Sequence, residues 1–179
     1  MIIKNGLVFQ ADGSFRKMDL FVKDHKLVAS QEEVTDQTVV DAEGLKVLPG
    51  LVDIHSHGAF GHDFSDADAQ GLKTVLKYEK SHGITSYCPT SMTLPLEELE
   101  KIFQTAHQVG EDEDQARIVG INMEGPFLDV PKKGAHVEAY IRKPEGEFFD
   151  NCQKAANGLI KLVTLAPNVE GAQEFIKEY

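Results

Sequence analysis

The sequence has 179 residues and a formal net charge of -11, with 41% hydrophobic and 26% charged residues. This balance is typical of a globular protein in water, and the length allows a substantial core. The acidic charge argues against nucleic acid and anionic membranes as partners, because both attract clustered Lys and Arg. No apolar run approaches the roughly 18 residues of a membrane span, and the N-terminus lacks the apolar core of a signal peptide. We therefore expect a cytoplasmic protein.

The first part of the chain predicts a small β domain. Short runs of β-branched and other apolar residues alternate with turns such as Asn5-Gly6 and Asp12-Gly13. This rhythm is typical of strands joined by hairpins, and no helical period is visible. We expect residues 1–48 to form a small antiparallel β-sheet domain.

From residue 49 onward the pattern changes to alternating strands and helices. Strands are predicted to begin near residues 51, 84, 117 and 160. An amphipathic helix is expected to start after Ser65 or Asp66 and to end at Gly83. A second helix follows Pro95, a short helix is expected around 150–157, and a further helix follows the fourth strand.

Repeated βα units imply a parallel sheet with right-handed crossovers. No Gly-rich phosphate loop follows the first of these strands, which disfavours a nucleotide-binding doubly wound fold. We therefore expect an α/β fold in which residues 49–179 form the first half of a (β/α)8 TIM-type barrel. This half would hold about four βα units, because a complete barrel needs eight units and about 250 residues.

The stretch LVDIHSHG, residues 51–58, suggests a metal site. Residues two apart on a strand share a face, so His55 and His57 are expected to converge, with Asp53 on the same face. Glu124 ends the third predicted strand, on what would be the same rim of a barrel. The alternative is that these polar side chains merely border exposed loops. We predict that His55, His57 and Glu124 bind a divalent metal; imidazole suits zinc, iron, nickel or cobalt, and zinc or iron is the expected ion.

Other residues are weaker candidates for chemistry. His136, in the loop PKKGAH, can reach into the pocket and donate to a substrate oxygen. Cys88 is a conceivable nucleophile at a strand end, although no base partner is evident. Cys88 and Cys152 are expected to be free thiols, and His62 stays unassigned. The remaining histidines are expected to be exposed or structural: His25, His82 and His107.

Five motifs along the chain are similar to those of a known enzyme family. They are LPGLVDIHSHG (Leu48–Gly58), GHDFSD (Gly61–Asp66), TSYCPTS (Thr85–Ser91), NMEGPF (Asn122–Phe127) and KKGAH (Lys132–His136). Together they resemble the N-acetylglucosamine-6-phosphate deacetylases of the amidohydrolase superfamily. The first motif is common among amidohydrolases, whereas EGPF with KKGAH is more specific. LAP, residues 165–167, begins a further family motif, although Asn168 stands where the family usually has Glu.

The resemblance implies metal-dependent hydrolysis of N-acetylglucosamine 6-phosphate, a phosphorylated amino sugar, to glucosamine 6-phosphate and acetate. In this family pattern His55 and His57 would hold one metal ion. Glu124 would be a ligand, lying between both ions in two-metal members, and the paired histidines favour two ions. His136 would contact the substrate and polarise the acetyl carbonyl.

The resemblance covers the whole chain but only about the first half of the family's usual length. The family's other histidine ligands, its catalytic Asp and its phosphate-binding residues lie in the second half, and no histidine follows His136 here. The three candidate ligands are therefore fewer than the family's full set. We therefore expect this chain by itself to be inactive or barely active. An open half-barrel also exposes a strand edge and apolar faces, which favours a homodimer.

Two other hypotheses stay open. One is a different amidohydrolase that acts on a cyclic amide or an aromatic amine, which EGPF with KKGAH disfavours. The other is a non-catalytic scaffold or binding domain that keeps the sheet and the βα units. Such a scaffold should bind no stoichiometric divalent ion at His55 and His57.

Overall fold

A computed structural model describes residues 1–179 as two units, Met1–Pro49 and Gly50–Tyr179. The strands of the first unit are β1 (Ile2–Phe9), β2 (Phe15–Lys23), β3 (Lys26–Val28), β4 (Val39–Asp41) and β5 (Lys46–Val47). The strands of the second unit are β6 (Leu51–Ser56), β7 (Gly58–Ala59), β8 (His62–Asp63), β9 (Ile84–Ser91), β10 (Arg117–Ile118), β11 (Ile121–Glu124) and β12 (Ile160–Thr164). Its helices are α1 (Ala69–Ser81), α2 (Leu96–Gln108), α3 (Gly146–Ala155) and α4 (Ala172–Glu178).

The first unit is a five-stranded mixed sheet rather than the antiparallel sheet predicted from the sequence. β2 pairs antiparallel with β1 and β3, but β4 and β5 both run parallel to β1. The segment between β3 and β4 contains a 3₁₀ turn at Gln31–Glu33, and it returns the chain to the other edge of β1. The prediction was wrong because hairpin signals describe only strands that are adjacent in sequence.

The second unit is built on a parallel sheet, as the alternation of strands and helices predicts. β9 is central: β6 pairs with one edge, and β10 and β11 pair with successive parts of the other, with β12 beside β11. The predicted third strand is therefore split at Val119 and Gly120. A Cβ on Gly120 would lie 2.8 Å from Lys161 Cγ and 3.3 Å from Cys88 Sγ, so the chain approaches its neighbours closely there. The first half of a (β/α)8 barrel stays a prediction.

The two long helices each bury one face in the core of the second unit. α1 buries Leu72, Val75 and Leu76, and α2 buries Leu99, Ile102 and Phe103, in the apolar stripes expected of amphipathic helices. None of the helices combines the length and apolar character needed to cross a membrane.

The start of α1 differs from the prediction. Its N-cap is Asp68, whose carboxylate accepts from Gln70 N, and not Ser65 or Asp66. Those two residues lie in a 3₁₀ turn that ends at Ala67, whose φ of 54° stops it from continuing into the helix. Three nearby residues that can each cap a helix made the sequence signal ambiguous.

Both cysteines are free and buried in the second unit. Burial raises the pKa of the Cys88 thiol, with the charge of Asp53 adding to the effect, and burial raises the pKa of Cys152 to about 12. A thiol must ionise to attack, so these environments argue against a cysteine nucleophile.

Glu79 is a buried acid at the C-terminal end of α1. The residue is 5% exposed overall, and its carboxyl group, which has no hydrogen bond or ion pair with another residue, is open to a cleft beside α1. Burial raises the pKa of Glu79, the charge of Asp53 raises it further, and His82 opposes the shift. The folded state therefore holds this proton at a pH where the unfolded chain has released it.

Glu79→Gln is expected to flatten the dependence of stability on pH. In the wild type, stability falls as pH rises from the ordinary Glu pKa of 4.5 through the raised folded value, because only the unfolded chain releases the proton early. The glutamine variant lacks this fall and should be the more stable protein at neutral pH. Urea unfolding between pH 4 and pH 7.5 measures the effect, with Glu113→Gln as the control because Glu113 is exposed. Parallel pH curves for both variants would contradict the expectation.

Candidate metal centre

An irregularity in β6 positions the first histidine. Asp53 pairs with Tyr87 and Ser56 with Pro89, so β6 uses one residue more than β9 between these pairs. Such a bulge breaks the alternation of faces. Asp53 accepts a hydrogen bond from His55 N at 2.9 Å and does not join the histidine cluster, contrary to the expectation of a shared face.

His55, His57 and Glu124 converge where β6 and β11 end. Nε2 of His55 lies 3.4 Å from Oε2 of Glu124, and Nε2 of His57 lies 3.1 Å from the same oxygen. One ligand atom from each residue lies within 4.8 Å of the other two. The structure thus brings together all three residues that the sequence nominated as metal ligands.

The hydrogen bond of His57 fixes the state of its ring. Nδ1 lies 3.0 Å from the carbonyl oxygen of Thr90, and a carbonyl can only accept, so Nδ1 carries a proton. In the neutral ring, Nε2 then presents its lone pair to Glu124 at 3.1 Å. Two acceptors at this distance repel unless a cation or proton lies between them. This donor set fits a divalent metal, and the Nδ1–H bond to a carbonyl is the usual support of a ligating histidine.

His136 has the opposite arrangement. Its side chain is buried, and its Nδ1 accepts a hydrogen bond from Thr93 N at 3.3 Å. The neutral ring therefore carries its proton on Nε2, which lies 3.7 Å from Oε1 of Glu124. A protonated Nε2 donates and cannot bind a metal, so His136 is arranged as a hydrogen-bond donor beside the candidate ligands.

Three supporting residues were not singled out from the sequence. Thr93 is buried, and its hydroxyl donates to the carbonyl of Glu124 at 3.4 Å, while its amide holds His136. Thr90 holds His57 through its carbonyl, and Asn122 Nδ2 donates to Ile54 O at 2.9 Å, tying β11 to β6. Most of these bonds use main-chain atoms, for which the sequence carries no direct signal.

A cleft of about 480 Å³ surrounds the cluster. It is lined by His55, His57, Glu124 and His136, together with Met92, Leu128, Lys132, Lys133, Gly134, Ala135 and Thr164. Glu124 is the only carboxylate in this lining. Lys133 Nζ donates to His136 O at 2.8 Å, which stabilises the loop that carries His136.

The other motif residues lie outside the cluster. His62 lines a neighbouring cleft of about 360 Å³ with His57 and Asp63 and is not one of the converging ligands. Asn168 donates to Oδ2 of Asp129 at 2.8 Å and so joins the loops that follow β12 and β11.

Comparisons with known proteins find relatives that share one name. N-acetylglucosamine-6-phosphate deacetylase from Bos taurus is 34% identical over 176 residues, which are 92% of this chain and 43% of the bovine protein. The crystal structure of the deacetylase of the same name from Mycobacterium smegmatis covers 99% of this chain with a TM-score of 0.81 and 26% identity. The chain is similar to the N-terminal part of the N-acetylglucosamine-6-phosphate deacetylases. This result confirms the resemblance predicted from the motifs.

A second crystal structure, of the N-acetylglucosamine-6-phosphate deacetylase from Pasteurella multocida, matches with a TM-score of 0.81 and 27% identity. The matched region covers 99% of this chain and 48% of the Pasteurella chain. No protein-family model matches the sequence. The chain spans less than half the length of these deacetylases.

The two ring states lead to a spectroscopic prediction. In the chain without metal, at a pH that keeps both rings neutral, His57 should carry its proton on Nδ1 and His136 on Nε2, because a carbonyl holds the first ring and an amide the second. Long-range ¹H–¹⁵N correlation spectra of the imidazole rings distinguish the two tautomers. His107, which is exposed on α2, is the internal control and should show a mixture. The same tautomer in both site histidines would contradict the assignment.

Proposed function

We propose that this chain supplies part of the active site of a metal-dependent amide hydrolase that acts on N-acetylglucosamine 6-phosphate. The products are glucosamine 6-phosphate and acetate. The observation that carries the proposal is one cleft that combines a histidine–carboxylate donor set with a separate N–H donor on His136. The names of the similar proteins supply the substrate.

His55, His57 and Glu124 would hold the metal. Imidazole nitrogen and carboxylate oxygen suit zinc or iron, and a carboxylate can serve one ion or lie between two. When bound, such an ion polarises a carbonyl oxygen and lowers the pKa of water.

The chain's own residues have distinct tasks in this proposal. Nε2–H of His136 donates to the acetyl carbonyl oxygen, where negative charge develops as the amide carbon is attacked. Thr93 holds that ring with Nε2 protonated. Lys132 and Lys133 place positive charge at the mouth of the cleft, which favours a phosphorylated substrate despite the acidic net charge.

We further propose that the parallel sheet is the first half of a (β/α)8 barrel and that this chain alone does not turn over substrate. Glu124, the one carboxylate lining the cleft, is assigned to the metal, so no second carboxyl group remains to protonate the departing amine. The edge strand β6 also exposes Leu51, Val52 and Ile54, with exposed fractions of 53% to 61%. This apolar strip supports self-association, and a homodimer is the simplest form.

The proposal is tested by metal content, ligand binding and turnover of the purified chain. We expect stoichiometric divalent ion after equilibrium with zinc or ferrous iron, and binding of N-acetylglucosamine 6-phosphate in preference to N-acetylglucosamine. We expect no acetate release, with the Mycobacterium smegmatis enzyme as the positive control. A chain without stoichiometric metal would support a scaffold instead. Preferential binding of a cyclic amide would support a different amidohydrolase, and turnover near that of the control would overturn the proposed incompleteness.

A further inference from the structure

A second cleft lies beside the C-terminal end of α1. It has a volume of about 570 Å³ and is lined by Ser56, Gly58, Ala59, Phe60, Tyr78 and Glu79. None of these residues lines the cleft that contains His55, His57 and Glu124. The proposed deacetylase chemistry gives this second cleft no task.

The cleft contains an acid without a partner. Glu79 is 5% exposed as a residue, but its carboxyl group makes no hydrogen bond or ion pair and its oxygens are open to the cleft. A carboxylate that is open to the cleft and has no protein partner is free to bind a cation. His82 is a nearby group able to carry positive charge, but its Nδ1 is already within hydrogen-bond distance of Tyr78 O and Ser81 Oγ.

The surroundings add negative potential. Asp53 lies close enough to act on Glu79, and both acids act on the buried hydroxyl of Tyr87. That hydroxyl donates to Ser56 O at 2.9 Å. Burial is the main cause that raises the pKa of Tyr87 to about 12, so this group stays neutral. The cleft therefore offers negative charge and no fixed cation to neutralise it.

Aromatic rings form the mouth of the cleft. Phe60 is 73% exposed, at a φ of 53°, and packs edge-on against Tyr78 with ring centroids 5.1 Å apart. The left-handed backbone belongs to the two-residue turn Phe60-Gly61 that joins β7 and β8, and this turn accounts for the φ but not for the exposed ring. Beside a carboxylate, aromatic rings favour a cation that is weakly hydrated and able to stack.

We propose that the Glu79 cleft is a binding site for an organic cation of the guanidinium type. A guanidinium group is planar, stacks on aromatic rings and gives a carboxylate two parallel hydrogen bonds. A divalent metal fits less well, because His55, His57 and Glu124 are the one set of three ligand groups that converges. The cation can belong to a small molecule or to an arginine side chain.

The test is a titration of the ¹⁵N-labelled chain with ethylguanidinium chloride, followed by the amide signals of Ala59, Phe60 and Tyr78. We expect saturable shifts that N-ethylurea, the neutral analogue of the same shape, does not produce. Glu79→Gln should weaken binding by about 10-fold or more, because it removes a charged hydrogen-bond partner. Glu113→Gln, an exposed control, should bind like the wild type.

Two further arms make the result specific. Phe60→Ala leaves the carboxyl group in place and should weaken binding by about 3-fold, through loss of the cation–π contact. A capped arginine tripeptide that binds more tightly than ethylguanidinium would assign the site to a polypeptide, and weaker binding would assign it to a small molecule. Equal titration curves for the wild type and Glu79→Gln, or equal responses to N-ethylurea and ethylguanidinium, would overturn the proposal. So would the absence of saturation.

Discussion

Glu124→Gln is expected to abolish stoichiometric binding of divalent metal. Oε2 of Glu124 is the atom on which Nε2 of His55 and Nε2 of His57 converge, at 3.4 Å and 3.1 Å. The amide removes the negative charge and presents only one ligand oxygen. Substitution of a residue that only supports a metal ligand typically weakens metal binding by roughly 10- to 100-fold. Loss of the ligand itself should therefore weaken binding by more than about 100-fold.

Equilibrium dialysis with zinc, followed by elemental analysis, measures this loss. The variant should stay folded, because the new amide can donate to the lone pair of His57 that the carboxylate opposed. Glu113→Gln is the matched control, since it removes an acid on the surface and should leave metal content unchanged. Wild-type stoichiometry in folded Glu124→Gln protein would exclude these three residues as the metal site.

Phe103→Ala is expected to lower the free energy of unfolding of the second unit by about 3–5 kcal/mol, the usual cost of deleting a large core ring. Phe103 is 0% exposed on α2, and its ring packs near Phe64 with centroids 6.4 Å apart. Phe64 begins the 3₁₀ turn that precedes α1, so the ring joins two segments of the core. Neither segment has room to close around the cavity without moving.

Urea unfolding followed by circular dichroism measures the change, and hydrogen exchange of β9 amides assigns it to the second unit. Phe103→Leu is the graded control and should cost less, about 1–2 kcal/mol, because it keeps most of the apolar volume. Equal stabilities for the alanine and leucine variants would show that packing of this ring does not determine the stability of the unit.

The sequence predicted the parts of the fold that depend on local periodicity. The stripes of α1 and α2 and the parallel pairing of β9 with its neighbours follow from the spacing of apolar residues. The direction of β4 and β5 was missed, because it depends on how a loop crosses the sheet. The split between β10 and β11 was also missed. A side chain at Gly120 would collide with Lys161 and Cys88, which are distant in sequence, so local spacing does not reveal the break.

In the candidate site, too, the sequence predicted some features and missed others that depend on contacts with the main chain. His55, His57 and Glu124 were predicted together because strand ends of a parallel sheet share one rim. The bulge that removes Asp53 from the group leaves no mark in LVDIHSHG. His136 was predicted as a donor to a substrate oxygen, but the proton position on its ring depends on the amide of Thr93, which any residue except proline would supply.

Both histidines depend on main-chain partners, and this constrains how the site can change in evolution. The proton positions of His57 and His136 depend on the carbonyl at position 90 and the amide at position 93, not on threonine side chains. Substitutions that preserve the packing at these two buried positions would leave both imidazoles in their states. One inserted residue between them would shift the carbonyl relative to the amide and disturb both rings together. Length is therefore under tighter constraint than composition in this short segment.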